Sequence, residues 1–273
     1  MEEKTPLDLI NTLKDVPAMP NVIIRALGII NDDSSGTKEL SEIMAYDQAL
    51  TSQVLKLVNS AYYGFAQEIT SIKNAIALLG MTQTKNIVIA VAMKPMLTSQ
   101  CGKDMWRHSL KTAVASELLA KNFDFLDPND AFTIGFLHDI GKVILNLCDS
   151  KKYQGVKELI QNGGDQLAAE EHIFDINHAD VGFMLAKKWK LPVLLANCIK
   201  YHHDPLRSSM PKASSLIYLA NMISQPGEEL PKMDYNILDE VGIDPSQLIQ
   251  FKADAEACLL YTSPSPRDRS VSR

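Results

Sequence analysis

The sequence lacks the features that would set it apart from ordinary globular proteins. It has only four cysteines among 273 residues, and their wide spacing predicts reduced thiols rather than a disulfide-stapled fold. No apolar signal core follows Met1, and the longest apolar run, residues 87–93, is too short to cross a bilayer. No block of lysine and arginine offers a phosphate-neutralising stripe, and the net charge is -6. These absences predict a cytoplasmic protein with neither a membrane nor a nucleic acid as partner.

The composition changes abruptly near the carboxyl terminus. Residues 258–268 read CLLYTSPSPRD, which resembles a conceptual translation of the transposon-end adapter used in sequencing libraries. A disordered tail is the simpler reading of such a Ser, Pro and Arg composition. We interpret residues 258–273 as an adapter-derived artefact and exclude them from functional reasoning. Without the three arginines and one aspartate of this tail the chain carries a net charge of -8, and we expect the natural chain to continue beyond Ala257.

The rest of the chain has the apolar spacing and the capping residues that are typical of helices. Apolar residues recur at three- and four-residue spacing, and no run alternates long enough to predict a sheet, so we expect an all-α, multi-helix bundle. Turn-forming residues 31–36 should close one helix, with Thr37 and Asp47 capping the next two. Pro95 should end a helix that begins near Thr82. The polar segment 98–102 then predicts a seam between an amino-terminal helical subdomain, residues 1–100, and a second subdomain.

The histidines are confined to the second half of the chain. All of them fall between Trp106 and Asp204, at His108, His138, His172, His178, His202 and His203. The adjacent pair His138 and Asp139 can reach one divalent ion if the backbone bends there, and the nearby glycines permit a bend. Isolated histidines on apolar helices are more often hydrogen-bonded core or surface residues. Other histidines lie on separate predicted helices, as a metal centre in the core of a helix bundle requires. A metal centre is therefore the more specific hypothesis.

This order of histidines resembles the HD superfamily of metal-dependent phosphohydrolases, and further motifs resemble its HDOD family. In the amino-terminal half the motifs are YDQALT at 46–51, VNSAYY at 58–63 and SIKNAI at 71–76. In the second half they are WRHS at 106–109, GFLHDIGK at 135–142, HADVG at 178–182, WKLP at 189–192 and YHHDP at 201–205. The resemblance implies an HD-like helical subdomain over residues 101–225, followed by a helical extension over residues 226–257.

The resemblance also implies a ligand set. The superfamily's ligand positions match His108, His138, Asp139, His178, His202 and His203. Where a further aspartate is expected this chain has Asn221, a weaker neutral donor, and Glu170 and Glu171 are the candidates to compensate. Asp139 and Lys142 are the candidates for a catalytic role. Such a set of oxygen and nitrogen donors admits iron, manganese, nickel or zinc.

Two departures bear on the function that the resemblance implies. Many HDOD proteins are regarded as regulatory modules, and the related cyclic-dinucleotide phosphodiesterases carry a Gly-Tyr-Pro motif where this chain has Asp204, Pro205 and Leu206. We therefore expect a bacterial signalling module that binds a signalling protein or a small nucleotide without turnover. The alternative is a divalent-metal-dependent phosphohydrolase acting on a nucleotide or phosphoester. A third reading is that the histidines are purely structural.

Overall fold

A computed structural model describes residues 21–28, 33–45, 47–59, 65–227 and 234–260. Every regular element in these ranges is a helix, which confirms the all-α prediction. The α-helices are Asn21–Gly28 (α1), Asp33–Ala45 (α2), Gln48–Val58 (α3), Ile72–Leu79 (α4), Met81–Cys101 (α5), Lys103–Ala120 (α6), Pro128–Leu137 (α7), Ile140–Cys148 (α8), Ser150–Gln161 (α9), Gln166–Phe174 (α10), His178–Lys188 (α11), Val193–Tyr201 (α12), Pro211–Ser224 (α13), Tyr235–Val241 (α14) and Pro245–Leu260 (α15). A short 3-10 helix covers Pro205–Arg207.

Polar side chains at helix starts explain several boundaries. The carboxylate of Asp47 accepts a hydrogen bond from the backbone N–H of Leu50, which confirms the predicted cap of α3. Asn177 caps α11 in the same way, by accepting from the backbone N–H of Asp180. That cap fixes His178 as the first residue of its helix.

Two predicted boundaries are wrong. Helix α2 begins at Asp33, so Thr37 lies inside it rather than capping it; residues 31 and 32 of the predicted turn lie outside the described residues. Ser and Gly residues suit the first turn of a helix as well as a preceding turn, so the pattern was ambiguous. Helix α5 continues through Pro95 to Cys101, because the buried side chains of Met93 and Leu97 hold it on both sides of the proline. The break falls instead at Gly102, whose φ of +88° favours glycine.

The chain divides into two compact units. One comprises the described residues within 18–95 together with those from Leu248 onward. In it α2 packs against α1, α3 and α4, around buried apolar side chains that include Ile23, Leu40, Met44, Val54 and Val58. The other unit comprises the described residues within 96–247 and contains all the histidines.

In the histidine-bearing unit, α6 packs against both α7 and α13, and α11 packs against both α8 and α12. Among the described residues one stretch, Pro128–Cys148, is long and apolar enough to cross a membrane. Of its most apolar 18 residues 78% are buried inside the protein, as expected of the core of a helical bundle. Its burial comes from the packing that positions the histidines.

Candidate metal centre

The predicted ligands come together where helices end. His138 follows the last residue of α7, and Asp139 immediately precedes α8, so the pair occupies the junction between two helices. His178 is the first residue of α11, and His202 follows the end of α12. Only His108 projects from the interior of a helix, α6. A helix end lets the backbone turn, and this is how adjacent residues of one chain can face the same point.

Glycines allow these helix ends to approach closely. A Cβ atom on Gly141 would lie 1.9 Å from the carbonyl oxygen of His178 and 2.8 Å from the backbone nitrogen of Gly182. Helices α8 and α11 therefore cross with backbone against backbone, beside Asp139 and His178. Gly135 does the same for α7 against α6, since its Cβ would lie 2.8 Å from the carbonyl oxygen of Thr112.

Asp139 lies between two groups of imidazoles. Its Oδ2 atom is 3.3 Å from Nε2 of His138 and 3.5 Å from Nε2 of His108; we call His108, His138 and Asp139 the three-donor group. Its Oδ1 atom is 3.1 Å from Nε2 of His178 and 3.6 Å from Nε2 of His202. With His203 these residues form the four-donor group: Asp139, His178, His202 and His203. Within each group all donor atoms lie within 4.8 Å of one another.

Hydrogen bonds behind the rings fix which nitrogen faces inward. Nδ1 of His138 lies 2.7 Å from the carbonyl oxygen of Gly135, and Nδ1 of His202 lies 2.7 Å from that of Ile199. Nδ1 of His178 lies 2.6 Å from the carboxylate of Glu170. Because carbonyl and carboxylate oxygens only accept, the hydrogen-bond pattern assigns the proton to each Nδ1 and leaves the Nε2 lone pairs directed at one another. The outer hydrogen bonds of metal-bound histidines have this arrangement.

The Nε2 atoms of the clustered imidazoles lie close enough together to bind a shared cation. Nε2 of His178 is 3.2 Å from Nε2 of His202 and 3.0 Å from Nε2 of His203, and the Nε2 atoms of His108 and His138 are 3.3 Å apart. Asp139 Oδ1, fully buried, accepts no well-aligned hydrogen bond from the described residues. For His178 and His202 the tautomers leave both Nε2 atoms unprotonated, so the two nitrogens repel each other, whereas a divalent ion would satisfy both and the carboxylate oxygen. The residues therefore fit a divalent metal.

Burial keeps most of the imidazoles neutral. Desolvation lowers the pKa of His108 to about 3 and that of His202 to about 4, and it holds the pKa of His203 far below its ordinary value. Neutral imidazole is the form that binds metals.

The pKa of His178 is raised rather than lowered. Burial and Lys142 oppose protonation of this ring, but the nearby carboxylates of Asp139 and Glu170 raise the pKa of His178 overall. Burial would raise the pKa of Asp139, yet His138 and Lys142 hold it well below the ordinary value, so this carboxylate is ionised.

Most, but not all, of the predicted site residues lie in the cluster. It brings together His108, His138, Asp139, Lys142, His178, His202 and His203, and leaves His172 exposed elsewhere on α10. Asn221 is buried on α13, where its Oδ1 accepts a hydrogen bond from Gln225, and its role as a ligand stays a prediction. Glu171 is exposed and accepts from Asn177.

The contact of Glu170 with His178 could not be predicted from the sequence. This side chain is fully buried, and its Oε2 accepts from both the backbone N–H and Nδ1 of His178. It therefore orients a ligand instead of supplying one to the cluster. The available signal was a pair of adjacent glutamates, eight and seven residues before His178, in a helix whose buried face the sequence pattern did not define.

The sequence of this chain matches a known family of domains. A model of the HDOD domain matches residues 16–205. This chain belongs to the HDOD domain family. The crystal structure of an HDOD domain protein with unknown function from Geobacter sulfurreducens has a TM-score of 0.77 to it and 25% sequence identity, over 94% of this chain and 95% of that chain.

Two further proteins are similar to this HDOD chain. A Shewanella amazonensis SB2B crystal structure, whose name suggests a phosphohydrolase, has a TM-score of 0.77 and 25% identity, over 93% of this chain and 96% of that one. An uncharacterized protein from Treponema pallidum (strain Nichols) is 24% identical over 205 residues, which are 74% of this chain and 40% of that protein. The chain thus spans less than half the length of this curated relative.

Proposed function

We propose that this HDOD chain is a divalent-metal-dependent phosphohydrolase that cleaves a phosphoester in bacterial signalling in the cytoplasm. The observation that carries the proposal is the convergence of imidazole lone pairs on both oxygens of the buried Asp139. This favours the alternative of the sequence analysis over a module without turnover.

Unequal exposure of the ligands supports a reactive rather than a structural centre. His138, His178 and His202 are fully buried, whereas the side chains of His108 and Lys142 are 19% and 14% exposed and His203 is half-buried. The cluster is therefore not completely enclosed, because three of its members are partly exposed. Structural metal sites are closed, and catalytic sites keep an open position.

Each residue has a role that follows from its place. His178, His202, His203 and Asp139 would hold a metal at the four-donor group, His108 and His138 would line the three-donor group on the other oxygen of Asp139, and Glu170 orients His178. A divalent ion in such a site lowers the pKa of a bound water and polarises a phosphoryl oxygen. The ammonium of Lys142, whose side chain is partly exposed, would supply positive charge for an anionic phosphoryl group. In the overall reaction water adds to phosphorus, the ester P–O bond breaks, and the leaving oxygen takes up a proton.

A chromogenic assay tests the proposal. The full chain, supplied separately with iron, manganese, nickel or zinc, is tested on bis(p-nitrophenyl) phosphate and p-nitrophenyl phosphate, beside His203→Ala and His172→Gln. We expect metal-dependent release of p-nitrophenol that His203→Ala abolishes and His172→Gln retains, since His203 belongs to the four-donor group and His172 is an exposed histidine outside the cluster. Bound metal without turnover on either ester would contradict the proposal.

A regulatory module is the second candidate function. The ion pair of Lys142 with Asp139 favours it, because that pair already satisfies one carboxylate oxygen without a metal. Such a module would bind a signalling protein or a small nucleotide. We expect its partner binding to persist in His203→Ala, whereas a hydrolase would lose turnover.

A further inference from the structure

The two oxygens of Asp139 have different surroundings. Nζ of Lys142 lies 2.7 Å from Oδ2, the oxygen that faces His108 and His138. Lys142 stands in the first turn of α8, three residues after Asp139, so the two side chains meet on one helix face. The three-donor group therefore contains a cation supplied by the chain itself.

The four-donor group uses the other carboxylate oxygen of Asp139. Oδ1 faces His178 and His202, whose Nε2 atoms lie 3.1 and 3.6 Å from it, and the 2.7 Å contact of Lys142 is with Oδ2. This group also offers one more imidazole than the three-donor group. Glu170 holds His178 in place, which adds pre-organisation to the four-donor group alone.

We propose that Lys142 acts as the resident cation of the three-donor group, so that the protein binds one metal ion tightly at the four-donor group and disfavours a second. This inference rests on the proposed metal centre. A second divalent ion would share Oδ2 with an ammonium group 2.7 Å from that oxygen. Repulsion between the two cations is strong because Asp139 is almost completely buried and little water screens them. Occupation of the second position then requires Lys142 to swing away from Oδ2, which makes this lysine a control on how many ions the centre holds.

Zinc binding to the metal-free full chain tests the inference. Isothermal titration and elemental analysis after gel filtration count the ions bound to wild type, Lys142→Gln and Lys142→Arg. Lys151→Gln is the matched control, since Lys151 is an exposed lysine on α9. Urea denaturation checks that each variant is folded.

We expect about one zinc ion per chain in wild type, Lys142→Arg and Lys151→Gln, and about two in Lys142→Gln, with the second bound at least about tenfold more tightly than in wild type. Equal stoichiometry in wild type and Lys142→Gln, whether one or two, would overturn the role of Lys142 and leave the metal centre intact. Zinc at background in every variant would overturn the metal centre itself, and with it both proposals.

Discussion

Glu170 holds His178 by two hydrogen bonds to a single oxygen. Oε2 accepts from the backbone N–H of His178 at 2.8 Å and lies 2.6 Å from its Nδ1. The pKa of Glu170 is lowered because, although burial opposes ionisation, His178 stabilises the charged form. One buried carboxylate thereby fixes both the start of α11 and the direction of a metal ligand.

Replacing Glu170 should weaken metal binding more than it weakens the fold. Glu170→Gln removes the charge and replaces one of the two carboxylate oxygens with an amide group that donates, while keeping the side chain's size. We expect metal affinity to fall by about 10- to 100-fold, because outer hydrogen bonds orient ligands and raise their basicity. Competition with a chelator of known affinity measures the change. Glu171→Gln, at the exposed neighbouring position, is the control; equal affinities in the two variants would show that Glu170 does not orient the ligand.

The crossing of α8 and α11 should tolerate no side chain at Gly141. In Gly141→Ala the new Cβ would overlap the carbonyl oxygen of His178, so the helices must separate. We expect a loss of about 3 kcal/mol or more in the free energy of unfolding, measured with urea. Gly155→Ala is the matched control, because its Cβ would touch only the end of the Ile173 side chain, at 3.3 Å. That variant should gain up to about 1 kcal/mol from helix propensity, and a similar loss in both variants would contradict the close crossing.

The metal-free protein should lose stability as the pH falls below about 6.5. The unfolded chain protonates its histidines near 6.5, whereas the pKa of His108 is about 3 and that of His202 about 4 in the folded protein. Between these values the unfolded state binds more protons, so lowering the pH favours unfolding. The raised pKa of His178 acts in the opposite sense, but His203 adds to the effect of the other two.

Urea denaturation of the metal-free chain at several pH values between 7.5 and 4.5 checks this. His202→Gln should reduce the slope of unfolding free energy against pH, and His172→Gln should leave it unchanged because that ring is exposed. A wild-type stability that is constant over this range would show that the buried imidazoles titrate normally.

Asn221→Asp tests the one ligand position that departs from the family pattern. The position is buried, so a new carboxylate should cost about 1–3 kcal/mol of stability in the metal-free protein. If residue 221 faces the metal, added zinc should restore that loss and raise the melting temperature of the variant more than that of wild type. Asn197→Asp, on α12, is the control. An equal effect of zinc on both variants would place residue 221 outside the centre.

The sequence by itself determined the helical fold and the kinds of ligand. Periodic apolar residues and a capping side chain such as Asp47 act locally, within one or two turns, so their effect can be predicted without the fold. The order of the histidines and the adjacent His138 and Asp139 likewise indicated a metal centre. The break at Pro95 failed as a prediction because buried neighbours on α5 outweigh a proline's local preference.

Only the tertiary structure decided which histidines belong to the three-donor group and which to the four-donor group. Which imidazoles face Oδ1 and which face Oδ2 of Asp139 depends on helices that are distant in sequence and cross at Gly141 and Gly135. The same crossing brings His178 to Asp139, while Glu170 fixes the ring's orientation from behind. Local propensity carries no information about such contacts, because they exist only where separate backbones pack at close range.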